Sequence, residues 1–324
     1  MVTEWTAQAS GSRSRLQHPK TVIVYTKGNN MQNKNLCGSD IRISIAKAVT
    51  VFVLAYGLHY FAYFLRARYF NWLNGLGLDE GIVHVLMYLG HTIFLIVMLL
   101  YALVIIDDRK YILSFTKGDR RRNLRFALAG AMTGFVMMAV CVFSAAINGD
   151  LSIRLSTGTH FPVFLLAIFA VLVQASVEEI ESRGFVFGKM YGEGVPLCAA
   201  IAVSSIYFSY LHAANPGFGL LPLLSIFVVG VLYALSYYFF GTLWFTCTAH
   251  MMWNFTQDFI FGLPDSGKPA AVSIFNSVIS GSGFFYDEKF GIEGSWMAIL
   301  VNLAACVIVV AVGLRMRRRQ FSML

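Results

Sequence analysis

Three short stretches of this chain hold residues of the kind chemistry needs, each set within an apolar run. The first reads Val177-Glu178-Glu179-Ile180-Glu181-Ser182-Arg183-Gly184, three carboxylates and a guanidinium. The second runs from Phe208 to Pro216 and contains His212; the third is His250-Met251-Met252-Trp253-Asn254. On a helix Glu179 and Arg183 stand at i and i+4 and can pair, while Glu178 projects about 100° away. One carboxylate is then held by a cation, and the other is free to face a cavity and act as a general base near neutrality. His250 and Asn254 share one helix face. Two histidines, an amide and a carboxylate from three helices can polarise a carbonyl, bind a water, stabilise an oxyanion or hold a metal with an open position. Glu181 reads as an interfacial charge, and His59, His84 and His91 as packed, hydrogen-bonded residues.

The elements that must position these groups follow from composition. Of 324 residues 57% are hydrophobic and 13% charged, with mean hydropathy +0.65, whereas a soluble domain is about one quarter charged. An ordinary soluble enzyme is excluded. Eight apolar segments, roughly 46–65, 82–106, 124–147, 163–188, 196–212, 218–239, 241–262 and 295–314, could each cross a ~30 Å hydrocarbon core as a helix. The expected fold is all-α, a polytopic membrane protein with about eight transmembrane helices in one bundle over residues 42–324. Residues 1–41 are polar and read as a disordered cytoplasmic tail. The loop 263–294 is rich in Gly, Ser, Asp and Phe and reads as a piece folding back on the bundle.

Net charge is +8, and its placement matters more than its size. With the tail inside, 19 basic residues fall in inside loops and five, Arg66, Arg68, Arg154, Lys268 and Lys289, in outside ones. That bias puts both termini in the cytoplasm of a cell-membrane protein and points to topology rather than nucleic acid. The five cysteines are scattered without a CxxC pair and read as apolar packing residues.

At these sites the sequence resembles the CPBP family of intramembrane proteases, which includes type II CAAX prenyl endopeptidases and bacteriocin-processing or immunity proteins. The family pattern is EExxxR, FxxxH, then HxxxN or HxxxD. Here it is Glu178-Glu179 with Arg183, Phe208 with His212, and His250 with Asn254, in order, within a family-like core of about 120–314. Gly241-Thr242-Leu243-Trp244 and Phe290-Gly291-Ile292-Glu293-Gly294-Ser295 are also similar to the family; Ser182, where many relatives carry an aromatic residue, departs from it.

The resemblance implies an endopeptidase that acts on a membrane protein or lipidated peptide. Glu178 would activate water, with His212, His250 and Asn254 as water, oxyanion or metal partners and Glu179 and Arg183 in support. His212 and His250 suit a divalent metal such as zinc. Asn254 is a poor zinc ligand and suits a metal-free oxyanion site instead. HExxH, GxGD and GxSG sites are absent. Two other readings remain: a non-catalytic membrane immunity or scaffold protein of the same fold, and a proton-coupled transporter, against which stands the lack of an internal repeat.

Overall fold

A computed structural model describes residues 38–156 and 161–321. The expected tail, 1–41, lies outside the described residues except for its end, 38–41, with which the first helix opens. The helices are α1 (Gly38–Asn74), α2 (Glu80–Leu89), α3 (Thr92–Val104) and α4 (Arg120–Asn148), then α5 (Phe161–Glu179), which runs through a wider π-helical stretch, Ile180–Phe187, into Gly188–Gly192. After them come α6 (Leu197–Leu211), α7 (Leu220–Phe240), α8 (Trp244–Phe255), extended by a π turn over Thr256–Ile260, and α9 (Trp296–Phe321). Local chemistry sets several ends. Asp119 caps α4 by accepting from the Arg122 N–H at 2.8 Å, and Gly149 closes it in the left-handed region at φ 88°.

Among the described residues six helical stretches are long and apolar enough to cross a membrane, so the chain is an integral multi-pass membrane protein. The expected spans at 196–212 and 241–262 fall short of that length. The 15 residues of α6 rise about 22 Å and stop before Asn215-Pro216-Gly217. The α8 stretch is bounded by Gly241 and Gly262, both at φ 63°. Hydropathy counts apolar residues and does not see where the backbone turns.

Two glycines let α4 and α8 touch backbone to backbone. A Cβ on Gly130 would lie 2.2 Å from the Phe245 carbonyl oxygen, and one on Gly134 2.0 Å from that of Ala249. This small-xxx-small spacing is how membrane helices approach closely, and here it fixes the helix that carries His250.

Four basic side chains gather at one end of the bundle. Lys47 reaches the Glu193 carbonyl at 2.6 Å, and Lys189 pairs with Asp108 at 2.5 Å and Glu193 at 2.7 Å. Arg122 bonds the Phe240 carbonyl, and Arg317 lies 4.3 Å over Tyr238, whose ring meets that of Tyr191.

The loop after α8 folds back, as its composition suggests, and adds the one sheet among the described residues. Strand β1 (Leu151–Leu155) pairs antiparallel with β2 (Phe275–Ile279). Asp265 and Lys268 bridge a turn whose central residues, Ser266 at φ 48° and Gly267 at φ 80°, have the positive φ a type I′ turn requires. A Cβ on Gly267 would meet the Pro216 carbonyl oxygen at 2.0 Å, so the turn is pressed onto the Asn215-Pro216-Gly217 segment that follows α6.

Candidate active site

The acidic stretch lies at the centre of the bundle, and its carboxylates reach different helices. Arg183 Nη1 donates to Glu179 Oε1 at 2.9 Å, with the two side chains 1% and 0% exposed. The i, i+4 pair therefore forms across the start of the π-helical stretch, a feature that recurs at functional sites. Arg183 also lies 4.1 Å over the Phe208 ring and 5.2 Å from the Tyr233 centroid, and donates to the Gly230 carbonyl at 3.4 Å.

Glu179 Oε1 takes a second donor, Nδ1 of His250, at 3.1 Å. A carboxylate can only accept, so Nδ1 carries a hydrogen, and whenever the ring is neutral Nε2 presents its lone pair. That Nε2 stands 3.9 Å from Glu178 Oε2. Arg183, Glu179 and His250 thus form a chain in which an ion pair sets the tautomer and direction of an imidazole, the logic of a carboxylate-oriented catalytic histidine.

Glu178 accepts from Gln174 Nε2 at 2.7 Å, and Gln174 Oε1 accepts from Asn254 Nδ2 at 3.2 Å. One amide hydrogen of Asn254 is spent on this relay, and the other is available to an oxyanion. On the other side of Glu178, Nε2 of His91 stands 3.8 Å from Oε1. The His91 ring is directed by its Nδ1 donating to the Tyr88 carbonyl at 3.0 Å. Two imidazoles therefore flank the two oxygens of Glu178, both beyond hydrogen-bond length, and Oε2 has no hydrogen-bond partner.

His212 caps α6. Its Nδ1 donates to the Phe208 carbonyl at 2.9 Å, which leaves Nε2 as an acceptor. His212, His250 and Asn254 line one cavity of about 30 Å³ with Phe208, Tyr233, Trp253, Ser266 and Glu293, room on the scale of a water molecule. Glu178 is not among the residues lining that cavity; His250, 3.9 Å from it, is. Since α6 stops short, His212 is kept within the bundle instead of at its far face.

Glu181 is not an interfacial charge: it is 2% exposed, meets His59 Nδ1 at 3.0 Å and accepts from the Tyr207 hydroxyl. His84 pairs with Asp258 at 2.6 Å, and Tyr88 touches both Asp258 at 2.7 Å and Asp265 at 2.6 Å. Three residues beside the candidate set escaped the sequence reading in their roles. Gln174 was findable as the i−4 neighbour of Glu178. His91 stood out only as one polar residue in an apolar run. Glu293 lay in a stretch noted for its similarity to the family, and its contacts come from far along the chain.

As to metal, no group of three or more His, Cys, Asp or Glu among the described residues is arranged to hold an ion. His212 and His250 both have Nδ1 engaged and Nε2 left as the acceptor, an arrangement that a metal-ligating histidine shares with one that orients a water. The chain's own groups can carry the chemistry without an ion.

Residues 159–256, a stretch that contains all six candidate residues, match the family model of type II CAAX prenyl endopeptidase, Rce1-like. No curated protein and no solved structure matches the chain.

Proposed function

From the premise that this chain belongs, through residues 159–256, to the CPBP intramembrane proteases of the Rce1-like CAAX prenyl endopeptidase type, we propose that it is a glutamate-dependent intramembrane endopeptidase. Glu178 takes a proton from a water, whose oxygen attacks the carbonyl carbon of a peptide bond. His212 and His250, through their Nε2 atoms, orient the water, and the remaining amide hydrogen of Asn254 stabilises the oxyanion. Glu179 and Arg183 hold His250. The observation that carries this reading is the His250 ring, fixed at Nδ1 by Glu179, with Nε2 3.9 Å from Glu178 on a residue that also lines the cavity. The substrate is a membrane-associated peptide, and the family points to a prenylated cysteine followed by a short tail. Both termini lie in the cytoplasm of a cell-membrane protein, a placement supported by the basic side chains collected at one end of the bundle.

The test is Glu178→Gln in proteoliposomes with a farnesylated peptide of that form. The amide keeps the shape but cannot accept the proton, so turnover should fall by ~10²-fold or more while the protein stays folded and inserted. A variant that keeps more than about a tenth of wild-type turnover refutes Glu178 as the base.

A further inference from the structure

The cavity holds a carboxyl group that the matched stretch does not include. Glu293, just ahead of α9, lines it together with His212, His250 and Asn254. The carboxyl is held from two sides: Trp253 Nε1–H donates to Oε1 at 2.9 Å, and the N–H and hydroxyl of Ser266 donate to Oε2 at 2.9 and 2.7 Å. Trp253 precedes Asn254 on α8, so the helix that carries two candidate residues also fixes this carboxyl. Ser266 is the non-glycine residue at positive φ in the turn pressed on the segment that follows α6.

Peptide hydrolysis needs an acid as well as a base, because a nitrogen expelled without a proton is a very poor leaving group. We propose that Glu293 is a further catalytic residue, the carboxylic acid that hands a proton to the departing nitrogen. The assignment rests on the endopeptidase reading above. His212 and His250 orient the water through Nε2 lone pairs and in that role have no Nε2 proton to give, Asn254 is not an acid, and Glu178 enters the reaction ionised. Glu293 is a carboxyl in the cavity with a proton to give: burial and the neighbouring Asp265 push it up to about 7, against the donors Ser266 and Trp253 and, when its ring is charged, the nearby His250, which favour its ionised form. Of the hydroxyls lining it the most acidic is that of Tyr233, whose phenol has an ordinary value of about 10 and is a weaker donor than a carboxylic acid near neutrality.

The step balances. Water gives a proton to Glu178 and its oxygen bonds the carbonyl carbon, forming a tetrahedral oxyanion. The C–N bond then breaks with its electron pair on nitrogen, which takes the proton of Glu293, leaving a carboxylic acid, an amine, protonated Glu178 and ionised Glu293. Through solvent, Glu178 loses its proton and Glu293 regains one; the products separate as carboxylate and ammonium.

The experiment compares two substrates with one acyl segment ending in farnesyl cysteine: the peptide amide and a phenolic ester, whose leaving group departs as an anion without a proton. In Glu293→Gln, which keeps the shape and one of the two acceptor oxygens, amide turnover should fall by about 10²-fold and ester turnover by less than about threefold, with KM retained. The wild-type amide profile should lose activity as pH rises through about 7, as an acid is deprotonated, and the variant should lose that limb. Ser266→Ala removes a donor to the ionised carboxylate, so the limb should move to higher pH. Equal losses on both substrates would make Glu293 a structural anchor and overturn the proposal. So would an alkaline limb that survives in Glu293→Gln but vanishes in Tyr233→Phe. If the wild type cleaves neither substrate, the endopeptidase reading falls and takes this assignment with it; if it cleaves both and Glu293→Gln matches it, this assignment alone falls.

Discussion

Removing both partners of the Glu179–Arg183 pair should cost clearly less stability than the two single removals added together. The charges meet at 2.9 Å with almost no exposure, which at an effective dielectric of about 20 is a gross attraction of about 6 kcal/mol. Most of that offsets desolvation, so the informative quantity is the cost of stranding one charge, about 3 to 5 kcal/mol. The partners left behind differ. In Arg183→Met, Glu179 keeps only the His250 N–H at 3.1 Å and an oxygen that is already unpartnered, so the loss should lie near the upper figure. In Glu179→Gln, Arg183 keeps the Gly230 carbonyl and the ring faces of Phe208 and Tyr233, and such cation–π contacts contribute up to about 2 kcal/mol when desolvated. That loss should lie near the lower figure. The double variant should fall short of the summed losses by about 2 to 3 kcal/mol, since neither charge is then unpaired. The assay is denaturant unfolding in detergent micelles for the wild type, both singles and the double. Additivity to within about 0.5 kcal/mol would show that the residues do not act as a pair, and the orientation of His250 would need another cause. Both singles should also lose turnover, because His250 loses its anchor.

Two further outcomes are expected. His91→Ala removes an imidazole 3.8 Å from Glu178 Oε1, and kcat should fall about tenfold, ~1.4 kcal/mol in the barrier, with KM unchanged; unchanged kcat would leave His91 a packing residue. Exhaustive chelation should leave turnover intact, since no metal-binding set of three His, Cys, Asp or Glu occurs among the described residues. Activity that is lost on chelation and restored by zinc, with about one ion per chain, would return His212 and His250 to the role of ligands.

What the sequence made legible was local. The Glu179–Arg183 pair follows from i, i+4 spacing, and the long helices follow from runs of apolar residues, because both depend on neighbours within a few turns. What stayed hidden depends on distant partners. Glu181 looked interfacial because its stabilising groups, His59 and Tyr207, are 122 and 26 residues away. Glu293 could not be tied to the site because Trp253 is 40 residues distant. The β1–β2 sheet joins Leu151 to Ile279, a pairing no window across either strand contains. The two short helices lie close to where the apolar runs 196–212 and 241–262 put them, at Leu197–Leu211 and from Trp244 to Ile260; they differ from expectation in being too short to count as full spans.

These long-range partners explain how one helix carries four ionisable groups through an apolar bundle. Each charge costs roughly 2.5 to 3.5 kcal/mol on insertion scales, so unpaired they would be prohibitive. The side chains of Glu178, Glu179 and Glu181 leave α5 and its π-helical continuation in different directions. Glu178 meets Gln174 and stands near His91, Glu179 meets Arg183 and His250, and Glu181 meets His59 and Tyr207. Those partners come from α1, α6, α8 and the start of α3, so the helices are tied to the acidic stretch by polar contacts as well as by packing. Such contacts are directional, and hydrophobic packing between membrane helices is not. The groups that set the bundle's register are therefore the same groups that aim His250, and the rotational position of α5 controls both. A substitution that turns α5 should disturb Glu178 even when it leaves the Glu178 side chain untouched.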